Sequence, residues 1–107
     1  MILYHATDYQ NLGSILSEGL RTGHDHLVYF CERPDYAARF VYIRGIQHIL
    51  VIEVDIPDDQ IQESFDHNPN FFGCRAFTVA RPIKVGEFRN LSHYDLRKDN
   101  IQQSVRR

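Results

Sequence analysis

Apolar and polar positions along the first thirty residues alternate in a way that predicts a strand, a short helix and a second strand. Strand-forming residues at the start predict a first strand over 1–5. Apolar residues at helical spacing then predict an amphipathic helix over 8–18. Thr7 and Gln10 fit a capping box at its start, and Gly19 stands where a left-handed C-terminal cap is expected.

The same alternation continues through the middle of the chain. A polar connection over 21–26 precedes a second strand over 27–31. Pro34 at a first helical position and Gly45 beyond the last turn bound a second helix. Residues 48–56 form the longest strand signal, and its first half is apolar on both faces. This pattern predicts a central strand of a sheet.

The second half of the chain is less regular. Turn residues dominate segment 57–74, where three phenylalanines either anchor a loop to the core or cover a ligand: Phe65, Phe71 and Phe72. Short strands are predicted over 76–79 and 85–88. Residues after Leu91 are polar and predict a frayed helix or tail. We therefore expect one domain over 1–91 and a polar C-terminal tail over 92–107.

Composition narrows the class of protein. A chain of 107 residues that is 43% hydrophobic can bury one core and has no room for a second domain. A net charge of −2 gives no indication of a general nucleic-acid or membrane-surface binder. The two cysteines, Cys31 and Cys74, lack the spacing of a zinc motif or a disulfide framework. With no leader pattern and no apolar run long enough to cross a bilayer, we expect a cytoplasmic protein that makes no membrane contact.

Two residues in the first half suggest chemistry. His5 ends the first predicted strand, and Tyr29 stands within the second. In adjacent strands they can form the walls of one cleft that holds a flat, polar aromatic ligand. The alternatives are a histidine that caps a turn and a tyrosine that belongs to the core. His24 and His26 are too few to predict a metal site, so none is expected.

These residues also carry a resemblance to a known family. The matching segments are Leu3-Tyr4-His5-Ala6-Thr7, Asn11, Ile15-Leu16, Glu18-Gly19-Leu20, Val28-Tyr29-Phe30 and Ala37-Ala38-Arg39-Phe40. Their order resembles the ADP-ribosyltransferase superfamily, in its diphtheria-toxin-like branch. That branch includes poly(ADP-ribose) polymerase catalytic domains, DarT toxins and RNA 2′-phosphotransferases. The resemblance implies an α+β fold with split, mixed or antiparallel sheets around an NAD cleft and two short helices.

The resemblance also implies roles for individual residues. His5 would hold the nicotinamide-side ribose, and Tyr29 would stack on nicotinamide. Ala6 stands where the polymerases have a glycine whose backbone receives the nicotinamide amide. Thr7 and Tyr36 are further candidates for contact with the dinucleotide.

The third motif of the family departs from the expected pattern. Most transferases place a glutamate on the strand after the irregular loop, whereas Ala76 stands there with Arg75 beside it. Glu87 on the following strand is our candidate replacement, and two loop carboxylates could also approach: Glu63 and Asp66. The missing acid matters because it stabilises a developing cation.

The expected function is binding of NAD as substrate and transfer of ADP-ribose to a protein or nucleic-acid acceptor. One alternative is a degenerate module that binds NAD, ADP-ribose or a partner without catalysis. Another is RNA 2′-phosphotransferase-like activity, in which arginines hold a phosphate: Arg39, Arg44 and Arg75. The remaining alternative is a small α+β domain without a pocket.

Overall fold

The computed structural model describes residues 1–64 and 74–96. Within them the chain forms six strands and two helices: β1 (Ile2–Asp8), α1 (Leu12–Glu18), β2 (Val28–Cys31), α2 (Pro34–Tyr42), β3 (His48–Asp55), β4 (Ile61–Ser64), β5 (Ala76–Val79) and β6 (Phe88–Asp95). Short 3-10 turns precede α1, β4 and β6: Tyr9–Asn11, Asp58–Gln60 and Val85–Glu87. The predicted α+β class with two short helices is confirmed.

The six strands form one sheet in the order β4-β5-β2-β1-β3-β6, and all neighbouring strands are antiparallel. β1 pairs with β3 along its whole length, from Ile2 to Asp8. β1 and β2 share a single register pair, Tyr4 with Cys31. The sheet is therefore continuous, which differs from the split sheets that we predicted, and its narrowest pairing is the junction of β1 with β2. We call its two sides, β4-β5-β2 and β1-β3-β6, the half-sheets.

The two helices cover opposite faces of this sheet. Successive strand residues point to opposite faces, so β3 contributes to two cores. One core contains Leu50 and Ile52 of β3 with Ile15 of α1. The other contains Val51 of β3 with Val41 of α2. β3 lies between β1 and β6 and its first half is buried on both faces, which confirms the prediction of a central strand.

The start of α1 differs from the prediction. β1 continues to Asp8, because it stays in register with β3 that far. Thr7 is thus a strand residue, and the capping box that we predicted for it is wrong. Asp8 takes the capping role instead, since its Oδ1 accepts a hydrogen bond from the Gln10 amide at 3.0 Å. Gly19 does end α1 with a positive φ of 77°.

The C-terminal part of the sheet also differs from the prediction. β4 lies within the segment predicted to be irregular. The strand predicted over 85–88 is a 3-10 turn, and β6 begins only at Phe88. β6 then runs past the expected boundary at residue 91, with Tyr94 and Leu96 buried. Residues 92–96 therefore belong to the folded body.

The predictions for Phe65, Asp66, Phe71 and Phe72 lie outside the described residues. Neither helix of the described part has the length and apolar character needed to cross a membrane.

Candidate functional site

A cavity of about 130 Å³ opens beside the junction of the two half-sheets, between β1, β2 and α2. His5 and Tyr29 both line it, so the structure brings together the two residues that the sequence singled out. Ala6 and Cys31 contribute further wall from the same strands. The lining among the described residues includes no aspartate or glutamate.

His5 spans the gap between the two half-sheets. Its Nδ1 lies 2.8 Å from the Tyr29 carbonyl oxygen. A carbonyl can only accept, so Nδ1 carries the proton and donates, which leaves Nε2 as an acceptor. Burial lowers the pKa of His5, and the hydrogen bond to Tyr29 only partly opposes that shift. The imidazole is therefore neutral at physiological pH and keeps one acceptor nitrogen.

Tyr29 has an exposed ring in a strand that is otherwise mostly buried. Its side chain is 40% exposed, whereas Val28 and Phe30 are 3% and 2% exposed. The Tyr29 hydroxyl donates to Asp25 Oδ2 at 2.6 Å, and this bond lowers the pKa of Asp25. Asp25 Oδ1 also accepts from the Leu27 amide. The loop before β2 thus fixes the far end of the ring.

Phe40 is a second aromatic wall, which sequence reasoning missed. It projects from α2, is 39% exposed and lines the same cavity. The Arg44 guanidinium lies 5.7 Å from the centre of its ring and also lines the cavity. In the sequence Phe40 belongs to the apolar stripe of a helix, and that spacing does not separate a core residue from the wall of a cavity.

Tyr36, by contrast, does not line this cavity. Its ring lies against two guanidinium groups, that of Arg33 at the start of α2, 4.8 Å from the ring centre, and that of Arg39 one turn further along the helix, at 5.4 Å. Cation–π contacts of this kind stabilise an exposed helix surface. The structure therefore gives Tyr36 and Arg39 a local contact away from the site.

A second, polar cavity of about 280 Å³ lies on the α1 side of the sheet. His5 lines this cavity too, together with Thr7 and Asn11. Asn11 Nδ2 donates to the Thr7 hydroxyl at 2.9 Å. Glu18 and Arg21 belong to the same lining, and Glu18 Oε1 lies 3.5 Å from Arg21 Nη1. His5 thus contributes to the lining of both cavities, the apolar one on the α2 side and the polar one on the α1 side.

The carboxylates proposed as replacements for the missing acid lie elsewhere. Glu87 accepts two hydrogen bonds from Arg81, at 2.9 and 3.0 Å, and one from the Lys84 amide. Arg81 keeps the pKa of Glu87 below its usual range. Glu87 does not belong to the lining of either cavity that contains His5. Its geometry is that of a structural ion pair.

Arg75 and Ala76 are also outside both cavities. The Arg75 guanidinium forms a two-bond pair with Glu63, at 2.8 and 3.0 Å. This arginine keeps the pKa of Glu63 low. Ala76 lies in the ladder opposite Cys31 on one side and Ser64 on the other. The structure therefore does not bring these residues to His5 and Tyr29.

Among the described residues, no group of three or more histidine, cysteine, aspartate or glutamate side chains could hold a metal ion. His24 and His26 are exposed in the loop before β2.

No protein-family model matches the chain, and no curated protein matches it.

Proposed function

We propose that this domain binds NAD at the junction of its half-sheets and that it is an ADP-ribosyltransferase-like domain. The observation that carries the proposal is that His5 and Tyr29 line one cavity. His5 Nδ1 also donates a hydrogen bond to the Tyr29 carbonyl oxygen at 2.8 Å. This bond ties the His5 imidazole to the main chain of Tyr29, and the Tyr29 ring lines the same cavity, which supports a ligand that contacts both side chains.

The nicotinamide ring occupies the apolar cavity in this proposal. Tyr29 comes from β2 and Phe40 from α2, so the ligand ring lies between two aromatic walls. Stacked or edge-on aromatic contacts contribute about 0.5–1.5 kcal/mol each beyond the burial of area. Ala6 lines the same cavity. The family resemblance implies that its backbone groups would bind the carboxamide of nicotinamide.

The ribose and the rest of the dinucleotide extend past His5. Its Nε2 is an acceptor, so it takes a hydrogen bond from a ribose hydroxyl. The polar cavity on the α1 side then receives the remaining part of the ligand. Two cations flank this path, Arg44 at the apolar end and Arg21 at the polar end. Guanidinium groups are well suited to the phosphates of a dinucleotide, but Arg21 would first have to leave Glu18, which lies 3.5 Å away.

The chemical step would break the bond between nicotinamide and ribose. Nicotinamide leaves with the bond electrons, an oxocarbenium-like carbon forms, and a protein or nucleic-acid acceptor attacks it. A carboxylate normally stabilises this cation, and loss of one such electrostatic group costs about 10²–10³ in rate. Because Glu87 and Glu63 are held in ion pairs, we propose that transfer is slow. Glu18 is the carboxylate that shares a cavity with His5.

A binding module without catalysis is the second candidate. The same two ion pairs favour it, since each directs a carboxylate to an arginine. RNA 2′-phosphotransferase-like chemistry gains less support, because the Arg75 guanidinium is bound to Glu63 and Arg39 lies against Tyr36, which leaves Arg44 as the one of the three arginines in the cavity lining.

The test is calorimetric titration of the purified protein with NAD, together with an assay for released nicotinamide. The variants are His5→Ala and Tyr29→Ala, and the matched control is His24→Ala, which removes an exposed loop imidazole. We expect binding by the wild type and the control, and weaker binding by the two site variants. Nicotinamide release would establish catalysis, and binding without release would identify a binding module. Equal affinity in all four proteins would contradict the proposed site.

A further inference from the structure

Two histidines meet near one edge of the sheet, outside both cavities that contain His5. His48 begins β3 and His93 lies near the end of β6, and these two strands pair antiparallel. His93 lies opposite Leu50, the second residue after His48, so the two imidazoles are diagonal neighbours on the face that α1 covers. His48 Nδ1 lies 3.1 Å from His93 Nε2. The two side chains therefore place two ring nitrogens next to each other.

A tyrosine ring packs against one of these imidazoles. Tyr9 lies in the 3-10 turn before α1, and its ring stacks on that of His93 with the ring centres 4.1 Å apart. The His93 ring stacks in turn on that of His48, at 5.3 Å and an angle of 30°. Tyr9 is half-buried against the core, whereas His93 is exposed. The stack thus restricts the rotation of an imidazole that solvent can reach.

We propose that His48 and His93 form a chelating site for a divalent transition-metal ion of the zinc, nickel or copper type, which joins the edge strand β6 to β3. Without an ion, one of the two nitrogens carries a proton and donates it to the other in a hydrogen bond. The ion takes the place of this shared proton. Each ring then keeps its single proton on its other nitrogen, so the neutral pair binds the ion without a net loss of protons.

The distance between the two nitrogens matches the requirement of one ion. Zinc binds imidazole nitrogens at about 2.0–2.1 Å, so two such ligands lie about 3.3 Å apart in a tetrahedral arrangement and about 2.9 Å apart at a right angle. The observed distance of 3.1 Å falls between these two values. The rings have to tilt until both lone pairs point to one ion, but the nitrogens hardly need to move.

The ligand atoms decide which ions the site accepts. Imidazole nitrogen binds zinc, nickel and copper, whereas magnesium and calcium prefer oxygen ligands. The part of the chain that the structure describes offers no group of three or more metal-binding side chains, so water completes the coordination and binding is weaker than at a four-ligand site. Asp95 lies opposite His48 in the ladder, and its carboxylate makes the surroundings favourable for a cation.

The experiment is a calorimetric titration of the full chain with zinc chloride, repeated with nickel chloride and magnesium chloride. We expect one zinc ion per chain, binding of nickel and no binding of magnesium. His48→Gln and His93→Gln each remove one of the two ligands. Loss of a residue that only orients a ligand typically lowers metal affinity roughly 10- to 100-fold, so each variant should lose at least that much. His24→Gln is the matched control, because it removes an exposed loop imidazole.

Tyr9 is a positioning residue in this proposal, and two substitutions separate its ring from its hydroxyl. Tyr9→Phe keeps a ring that stacks on His93, so zinc affinity should stay near that of the wild type. Tyr9→Ala removes the stack and should weaken zinc binding by less than the loss of a histidine does. Circular dichroism shows which variants are folded. If one histidine variant is unfolded, the other histidine variant and the Tyr9 pair carry the test.

Thermal melts provide a second measurement. An ion that binds only the folded chain raises its Tm, so zinc should raise the Tm of the wild type and of His24→Gln and leave the histidine-pair variants unchanged. Zinc affinity that is equal in the wild type and in both His48→Gln and His93→Gln would overturn the proposal. So would an equal affinity for magnesium, or a loss of zinc binding in His24→Gln alone. A failure to bind NAD would leave this site untouched, because neither histidine lines a cavity that contains His5.

Discussion

The junction of β1 with β2 and the β4–β5 end of the sheet use their polar and aromatic groups in opposite ways. At the junction, Tyr29 and Phe40 are each about 40% exposed and line one cavity. At the other end, Glu63 is bound by Arg75, and beyond β5 Glu87 is bound by Arg81, each through two hydrogen bonds. The first region keeps surfaces that a ligand can contact, whereas the second satisfies its charges internally.

This difference separates binding from stability. Paired charges hold strands and turns in place, and an arginine that is already bound to a carboxylate is a poor receptor for a phosphate. Exposed rings at a cavity contribute little to folding until a ligand covers them. Substitutions at the junction should therefore change ligand affinity, and substitutions at the carboxylates should change stability.

The largest effect is expected from removal of both cavity rings. The double variant Tyr29→Ala, Phe40→Ala loses two aromatic contacts worth about 0.5–1.5 kcal/mol each, so NAD affinity should fall roughly 5- to 150-fold. Calorimetric titration measures this. Val85→Ala is the matched control, because it truncates an exposed apolar side chain outside the cavity. An equal loss of NAD affinity in Val85→Ala would contradict the assignment of ligand binding to the cavity rings.

The next effect is a pH dependence of NAD affinity set by His5. Burial lowers the pKa of this imidazole, so in the folded protein it stays neutral below its ordinary pKa of about 6.5. Affinity should remain level as the pH falls through 6.5 and should decrease only at lower pH, when protonation removes the acceptor nitrogen. Titrations over a pH series measure this, and His24→Ala should give the same profile. A decrease centred on the ordinary pKa would show that His5 does not control binding.

Glu87→Gln should change stability and leave binding intact. Loss of its charge weakens the bonds to Arg81 and should lower the free energy of unfolding by about 1 kcal/mol, or Tm by about 4 °C. The folded-state pKa of Glu87 is depressed, so its stabilisation exists above the unfolded pKa and is lost as pH falls through the folded value. The difference from wild type should therefore vanish in acid. Thermal melts of the variant and the wild type at two pH values measure this difference. A large loss of NAD affinity in the variant would contradict the account, because it would show that Glu87 contributes to the ligand site.

The smallest effect is expected at Glu63. Its side chain is 30% exposed and its partner Arg75 is 56% exposed, so solvent screens the pair. Glu63→Gln should alter neither NAD affinity nor Tm beyond a small decrease. A gain in affinity would show that the released Arg75 contacts the ligand, in support of the binding role that we predicted for it.

The sequence predicted the first half of the molecule better than the second, for physical reasons. β2 and α2 follow from local signals, namely an apolar run and Pro34 at the first helical turn. β4 and β6 were missed or misplaced, because edge strands carry polar residues that resemble loops. β6 also depends on long-range pairing with β3, which no local pattern records.

The candidate site shows the same limit. That His5 and Tyr29 line one cavity could be predicted, because they stand in consecutive strands of the chain. Phe40 could not be told from a core residue, since its exposure depends on how α2 lies over β1 and β2. The pairing of Glu87 with Arg81 could not be predicted either. It depends on the 3-10 turn before β6, and the sequence predicted a strand there.

The most direct test of the central claim is an NMR titration with NAD of protein labelled at its alanine methyl groups. Ala6 and Ala37 line the apolar cavity, whereas Ala80 lines a separate cavity at the β4–β5 end. A bound nicotinamide ring should shift the methyl resonances of Ala6 and Ala37 strongly and leave that of Ala80 in place. A shift confined to Ala80, or none at any alanine, would contradict the assignment of the dinucleotide to the junction of the half-sheets.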